Sequence, residues 1–130
     1  MTDLPTLLLV EDDGALRRAL AASLSRRFAL RMAADVFSAK LALRAGPLDA
    51  VLTDFHLPDG TGLDVLREAK MRWPNAVRVL MSASDGAFSA QDSEHLASVA
   101  VPKPFNVVIV GHLIARLVAA AHSGKTPISS

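Results

Sequence analysis

The chain has 130 residues, a formal net charge of +1, 51% hydrophobic residues and 21% charged residues. That length and composition suit one folded domain with a real core and exclude a disordered chain. Near-neutral charge gives no field favouring nucleic acid or an anionic membrane. The absence of cysteine excludes disulfides and thiolate metal sites, in keeping with a reducing cytosol.

The start, Met1 to Pro5, carries an acid and no basic n-region, so no secretory leader is expected. Leu7 to Val10 is uniformly apolar and predicts a strand buried on both faces. Asp13 and Gly14 open a helix on which Leu16, Leu20 and Leu24 recur every four residues. The pairs Arg17-Arg18 and Arg26-Arg27 read as the solvated side of that helix. Phe28, Leu30 and Met32 alternate with Ala29 and Arg31, as on a half-exposed strand near a sheet edge. A second helix is expected over Ser38 to Arg44, stopping at Gly46-Pro47. Ala50 to Asp54 predicts a third strand, followed by a turn around Pro58-Asp59-Gly60. A third helix, Gly62 to Arg72, turns Leu63, Leu66 and Ala69 inward and ends before Pro74.

Val77 to Ser82 predicts a fourth strand. The polar stretch from Ser84 to Ser98 predicts a short or mobile helix, and Val99 to Val101 a short fifth strand. The last helix is expected from Val107 to His122, with Val110, Leu113, Ile114 and Leu117 as its core stripe. This apolar stretch, interrupted by Gly111, His112 and Arg116, is too short to span a bilayer. Residues 1–122 are thus expected to form the domain, and 123–130 a flexible tail or the start of a linker.

Strands alternating with helices predict an α/β fold with a five-stranded parallel sheet, doubly wound and flavodoxin-like, in the order 2-1-3-4-5. In that order the strand ends carrying chemistry converge. Glu11 and Asp12 end the first strand, Asp54 the third and Ser82 the fourth, while Lys103 follows the fifth. Acids, a hydroxyl and an ammonium gathered at the carboxyl edge suit a divalent cation and a phosphoryl group. Each residue also has a plainer reading. Glu11, Asp12 and Asp13 are able to cap a helix, Asp54 to start a turn, Ser82 to end a strand, and Lys103 to be an ordinary loop lysine. His95, His112 and His122 are too scattered to propose a metal cluster.

With these residues in order, the chain resembles the receiver domain of two-component response regulators from about Leu7 to Ala121. The resemblance rests on Glu11-Asp12-Asp13, on Asp54 with Leu57-Pro58-Asp59-Gly60, on Ser82-Ala83 and on Lys103-Pro104-Phe105. It implies that Asp54 accepts a phosphoryl group from a phosphorylated histidine of a sensor histidine kinase or phosphotransfer protein. Mg²⁺ (or Mn²⁺) would be held by Glu11, Asp12, Asp54 and the backbone carbonyl of His56. Lys103 would hold a phosphoryl oxygen. Three carboxylates so close imply a raised pKa without metal. Ser82 would move toward the phosphoryl group with Ala83 and Ser84 following, and the His56 side chain would tune the access of water. The family usually has a cis peptide between this lysine and proline.

One departure concerns output. The family's switch aromatic falls at Ala100, so either the signal leaves by loop and helix motion alone or Phe88 or Phe105 substitutes. On the last helix, Val108, His112, Ala115 and Ala119 form a small, weakly polar side for a homodimer partner, a kinase or an output domain, if it is more than an Ala-rich surface. The resemblance implies a cytoplasmic switch and no classical enzyme, and no element of this chain suits direct nucleic acid or membrane binding. Two alternatives stay open. One is a degenerate receiver that binds protein without phosphorylation. The other is an aspartate-nucleophile α/β phosphatase, although no G-x-G-x-x-G follows the first strand and no acid stands two residues after Asp54.

Overall fold

The computed structural model describes residues 3–82 and 96–122. The apolar run after Pro5 forms β1 (Thr6–Val10), whose last four residues are buried. Asp13 then starts α1 (Gly14–Leu24) by accepting from the N–H groups of Ala15 and Leu16 at 2.9 and 3.1 Å. Strand β2 (Ala29–Ala33) leads to α2 (Val36–Arg44), and β3 (Ala50–Asp54) is buried along its whole length. The expected turn after Asp54 is a small hairpin, β4 (His56–Leu57) paired antiparallel with β5 (Gly60–Thr61). Helix α3 (Gly62–Arg72) starts on a capping box formed by Thr61 and Asp64. Strands β6 (Val77–Ser82) and β7 (Val99–Pro102) and the last helix α4 (Val107–His122) complete the described elements.

The main sheet has the order β2-β1-β3-β6-β7 with every pair parallel. With the hairpin set aside, this is the expected flavodoxin-like 2-1-3-4-5 arrangement. The sheet divides the core in two. On one face Leu7, Leu9, Leu52, Val79 and Met81 pack with Leu20 and Leu24 of α1 and Val110, Ile114 and Val118 of α4. On the other, Leu8, Val10, Val51 and Leu80 pack with Ala39 and Leu43 of α2 and Val65, Leu66 and Ala69 of α3. Alternate residues of each central strand serve opposite faces, so an unbroken apolar run is what these strands need.

Several expectations required correction. Helix α2 begins at Val36, two residues earlier than expected. Asp35 caps it through the N–H of Ser38, and Asp59 receives the N–H groups of Val36 and Phe37. Met32 is 56% exposed because it lies on the edge strand, where no further strand covers it. The core stripe of α4 is Val110, Gly111, Ile114 and Val118, while Leu113 and Leu117 are only half-buried. Ala115, expected on the outer side, packs against the core, whereas Val108, His112 and Ala119 are exposed. Arg17 is not a simple solvated residue, since its Nη1 donates to the carbonyl of Glu11 at 2.7 Å. The stretch expected as a short helix lies mostly outside the described residues.

Candidate functional site

The register brings the chemistry together. Val10 stands beside Thr53, and Asp54 beside Met81, so the strands end at one level of the sheet. Glu11 and Asp12 leave the end of β1, Asp54 closes β3 and Ser82 closes β6. Lys103 arrives one residue after β7 and is fixed by its own N–H, which donates to the carbonyl of Ser82 at 2.7 Å. Ser82 thereby takes part through its main chain. The Lys103–Pro104 peptide bond is cis.

Glu11 is almost fully buried, Asp54 is buried and Asp12 is exposed. One carboxylate oxygen from each lies within 4.8 Å of the others. The Lys103 ammonium bridges two of them, 3.2 Å from Glu11 Oε1 and 3.2 Å from Asp54 Oδ1. The second oxygen of Glu11 accepts from the Asp13 N–H at 3.0 Å. Burial raises the Glu11 carboxyl above its ordinary value, with the Asp54 charge adding to the rise and the Asp13 N–H and Lys103 opposing it. Burial alone would lower the Lys103 ammonium, but Glu11 and Asp54 outweigh it and hold the group above its ordinary value. The Glu11 rise thus comes mainly from burial and the Lys103 rise from its two carboxylate neighbours. The donor set fits a hard divalent cation, with three carboxylates converging from two strand ends and an exposed side at Asp12 for retained water.

The surroundings hold this geometry. Thr53 is buried and its hydroxyl donates to the Asp54 carbonyl at 3.0 Å. The Phe55 N–H donates to Met81 across the sheet, and the Gly62 N–H returns to the Phe55 carbonyl at 2.7 Å. At Gly62 a Cβ would fall 2.3 Å from the Asp54 carbonyl oxygen, so the helix start approaches Asp54 as closely as glycine alone allows. The His56 ring is exposed and meets Phe55 edge-on, with centroids 4.9 Å apart.

The candidate residues do not all meet. Ala100 is an exposed residue of β7, paired with Leu80, and presents no aromatic ring. Phe105 is half-buried against the α1–α4 side of the core. Ala83, Ser84, Phe88 and His95 lie outside the described residues. Two contacts were missed in the sequence, Arg17 to the Glu11 carbonyl and Asp59 to the start of α2. The first had a visible signal, an arginine one helical turn past the acids. The second had none, because its partner is remote in sequence.

Residues 7–114 match the family described as Response regulator receiver domain. The chain is 32% identical over 116 residues to the DNA-binding transcriptional regulator NtrC of Bradyrhizobium sp., a match covering 85% of this chain and 24% of the relative. It is 37% identical over 79 residues to the photosynthetic apparatus regulatory protein RegA of Rhodovulum sulfidophilum, covering 60% of this chain and 43% of that one. It therefore spans about a quarter of the NtrC relative's length. Among solved structures, the signal receiver domain of an HD domain-containing protein from Pseudomonas fluorescens matches with a TM-score of 0.83 at 22% identity, covering 95% of this chain and 93% of that one. A CheY-like receiver domain from Methanospirillum hungatei gives 0.82 at 21% identity, covering 94% and 99%. No helix among the described residues is long and apolar enough to cross a membrane. The chain belongs to the response regulator receiver domain family.

Proposed function

We propose that this receiver domain is a Mg²⁺-dependent phosphoacceptor switch in which Asp54 takes a phosphoryl group from a phosphohistidine of a sensor kinase or phosphotransfer protein. One observation carries the reading: Lys103 bridges Glu11 and Asp54 where the three carboxylates converge. A carboxylate oxygen of Asp54 attacks phosphorus as the bond to the donor imidazole nitrogen breaks, giving an acyl phosphate and returning a neutral imidazole after protonation. Glu11, Asp12, Asp54 and the His56 carbonyl would hold the cation, which when bound offsets charge on the phosphoryl oxygens. Lys103 supplies a flexible point charge for one of those oxygens. Ser82, at the end of the adjacent strand, responds to about two added negative charges, with Ala83 and Ser84 following. The exposed His56 ring, edge-on to Phe55, would tune how fast water reaches the product.

The test is incubation with acetyl phosphate and Mg²⁺ followed by intact mass. The native protein is expected to gain one phosphoryl group, and Asp54→Asn none. A native protein that gains none sinks the switch. It leaves the phosphorylation-independent binding module, which the exposed Ala100 favours by offering no aromatic to report the change.

A further inference from the structure

The hairpin that follows Asp54 carries the His56 carbonyl, yet it contains only two residue pairs, His56 with Thr61 and Leu57 with Gly60. A ribbon so short does not hold its shape unaided. Its base is tied by the Phe55–Met81 and Gly62–Phe55 bonds. Its tip is tied elsewhere. Asp59 Oδ1 accepts from the Val36 N–H at 2.7 Å and Oδ2 from the Phe37 N–H at 3.0 Å, so one carboxylate grips the N-terminus of α2 with both oxygens. Two charge-assisted bonds at the positive end of a helix form a strong anchor. The contact is also tight, since a Cβ at Gly60 would meet Val36 Cγ2 at 3.1 Å. Meanwhile Asp35 caps the same helix from its own side, through the Ser38 N–H at 2.8 Å. The first turn of α2 is therefore capped by its own residue and, separately, by the acceptor loop.

We infer that Asp59 is a positioning residue for the cation site: it fixes the hairpin, and with it the His56 carbonyl, by clamping the loop to α2. This rests on the phosphoacceptor reading. It also makes the start of α2 thermodynamically linked to the site, so that whatever orders one orders the other. Phe37, whose amide is one half of the clamp, is 67% exposed, which puts that link at the protein surface.

Mg²⁺ titration by calorimetry, with amide exchange at Val36 and Phe37, separates positioning from simple helix capping. Asp59→Ala is expected to weaken Mg²⁺ binding by about tenfold, the low end for residues that orient metal ligands. Asp59→Asn, which keeps one carbonyl acceptor but loses the charge, should recover part of that affinity. Asp35→Ala uncaps α2 and also removes an acid but leaves the Asp59 clamp in place, so through the linkage it should weaken Mg²⁺ binding by much less than Asp59→Ala does. In the native protein Mg²⁺ should slow exchange at Val36 and Phe37, and in Asp59→Ala it should not. Unchanged affinity in Asp59→Ala, an equal loss in Asp35→Ala, or no recovery in Asp59→Asn overturns the positioning role while the phosphoacceptor reading stands. A native protein that binds no Mg²⁺ overturns both.

Discussion

At the scale of single residues, the site is a balance of charge held inside a tight frame. Lys103 lies between Glu11 and Asp54 and offsets a cluster that is otherwise all carboxylate. Glu11 is the most constrained member, being 1% exposed with one oxygen on Lys103 and the other on the Asp13 N–H. The frame is narrowest at Gly62, which packs against the Asp54 carbonyl and Leu80 Cδ1. Backbone cannot swing aside as a flexible side chain does, so Gly62→Ala must displace either the start of α3 or Asp54 itself. The expected cost is about 1–3 kcal/mol in urea unfolding, with slower uptake of phosphoryl groups from acetyl phosphate. Full stability with unchanged uptake would show that the close approach does not position Asp54.

Among the elements, α2 and α3 are joined through Glu68, which is 8% exposed and accepts from Arg72 and Arg44. The hydrogen bond from Arg72, with help from Arg44, holds the Glu68 carboxyl below its ordinary value of 4.5 against the opposing effect of burial. The native state therefore binds this proton less readily than the unfolded chain. The stabilisation is complete above about pH 4.5 and disappears as pH falls through the depressed native value. Glu68→Gln should cost about 1 kcal/mol at neutral pH, discounted for two partly exposed arginines, and should flatten the acid limb of stability against pH. An acid limb as steep as that of the native protein would rule Glu68 out as its source.

Element boundaries were legible wherever one stretch of chain carried both the pattern and the stop signal. Strands β3 and β6 and helix α3 match their expected spans because largely apolar runs and Pro74 act locally. Helix α2 began early because part of its cap comes from Asp59. The buried stripe of α4 differed because Gly111 faces Leu24 and Ser23 of α1 at close range, so Val118 joins Val110 and Ile114 in the core while Leu117 packs at its margin. At the site, the meeting of Glu11, Asp12, Asp54 and Lys103 was legible because parallel strands deliver their ends to one edge. The grip of Arg17 on the Glu11 carbonyl was missed although its place one turn past the acids was a signal, because arginine on a helix pairs with exposed positions far more often than with a strand-end carbonyl.

For the whole molecule, the two ends of the sheet have different tasks. The carboxyl edge gathers like charges, while the opposite end is sewn together by Asp49, which accepts from the Thr6 N–H at 2.8 Å and contacts His122 Nε2 at 2.7 Å. Three converging carboxylates at one edge mean that a bound cation relieves repulsion only in the folded state. Mg²⁺ at about a hundred times its dissociation constant should add about 2.7 kcal/mol of stability, read as a higher Tm, and Glu11→Gln should lose most of that gain. A Tm indifferent to Mg²⁺ would contradict the cation site. The Asp59 clamp also bears on how the chain reaches its native form. Helix α2 has nine residues, too few to persist alone in water, and two of its first N–H groups wait for a carboxylate 22 and 23 positions further along. The βαβ unit made of β2, α2 and β3 thus cannot mature in the order in which it is synthesised. Its helix is fully capped only once the chain has turned past Asp59, so α2 should be among the first elements to loosen, read as early amide exchange at Val36 and Phe37.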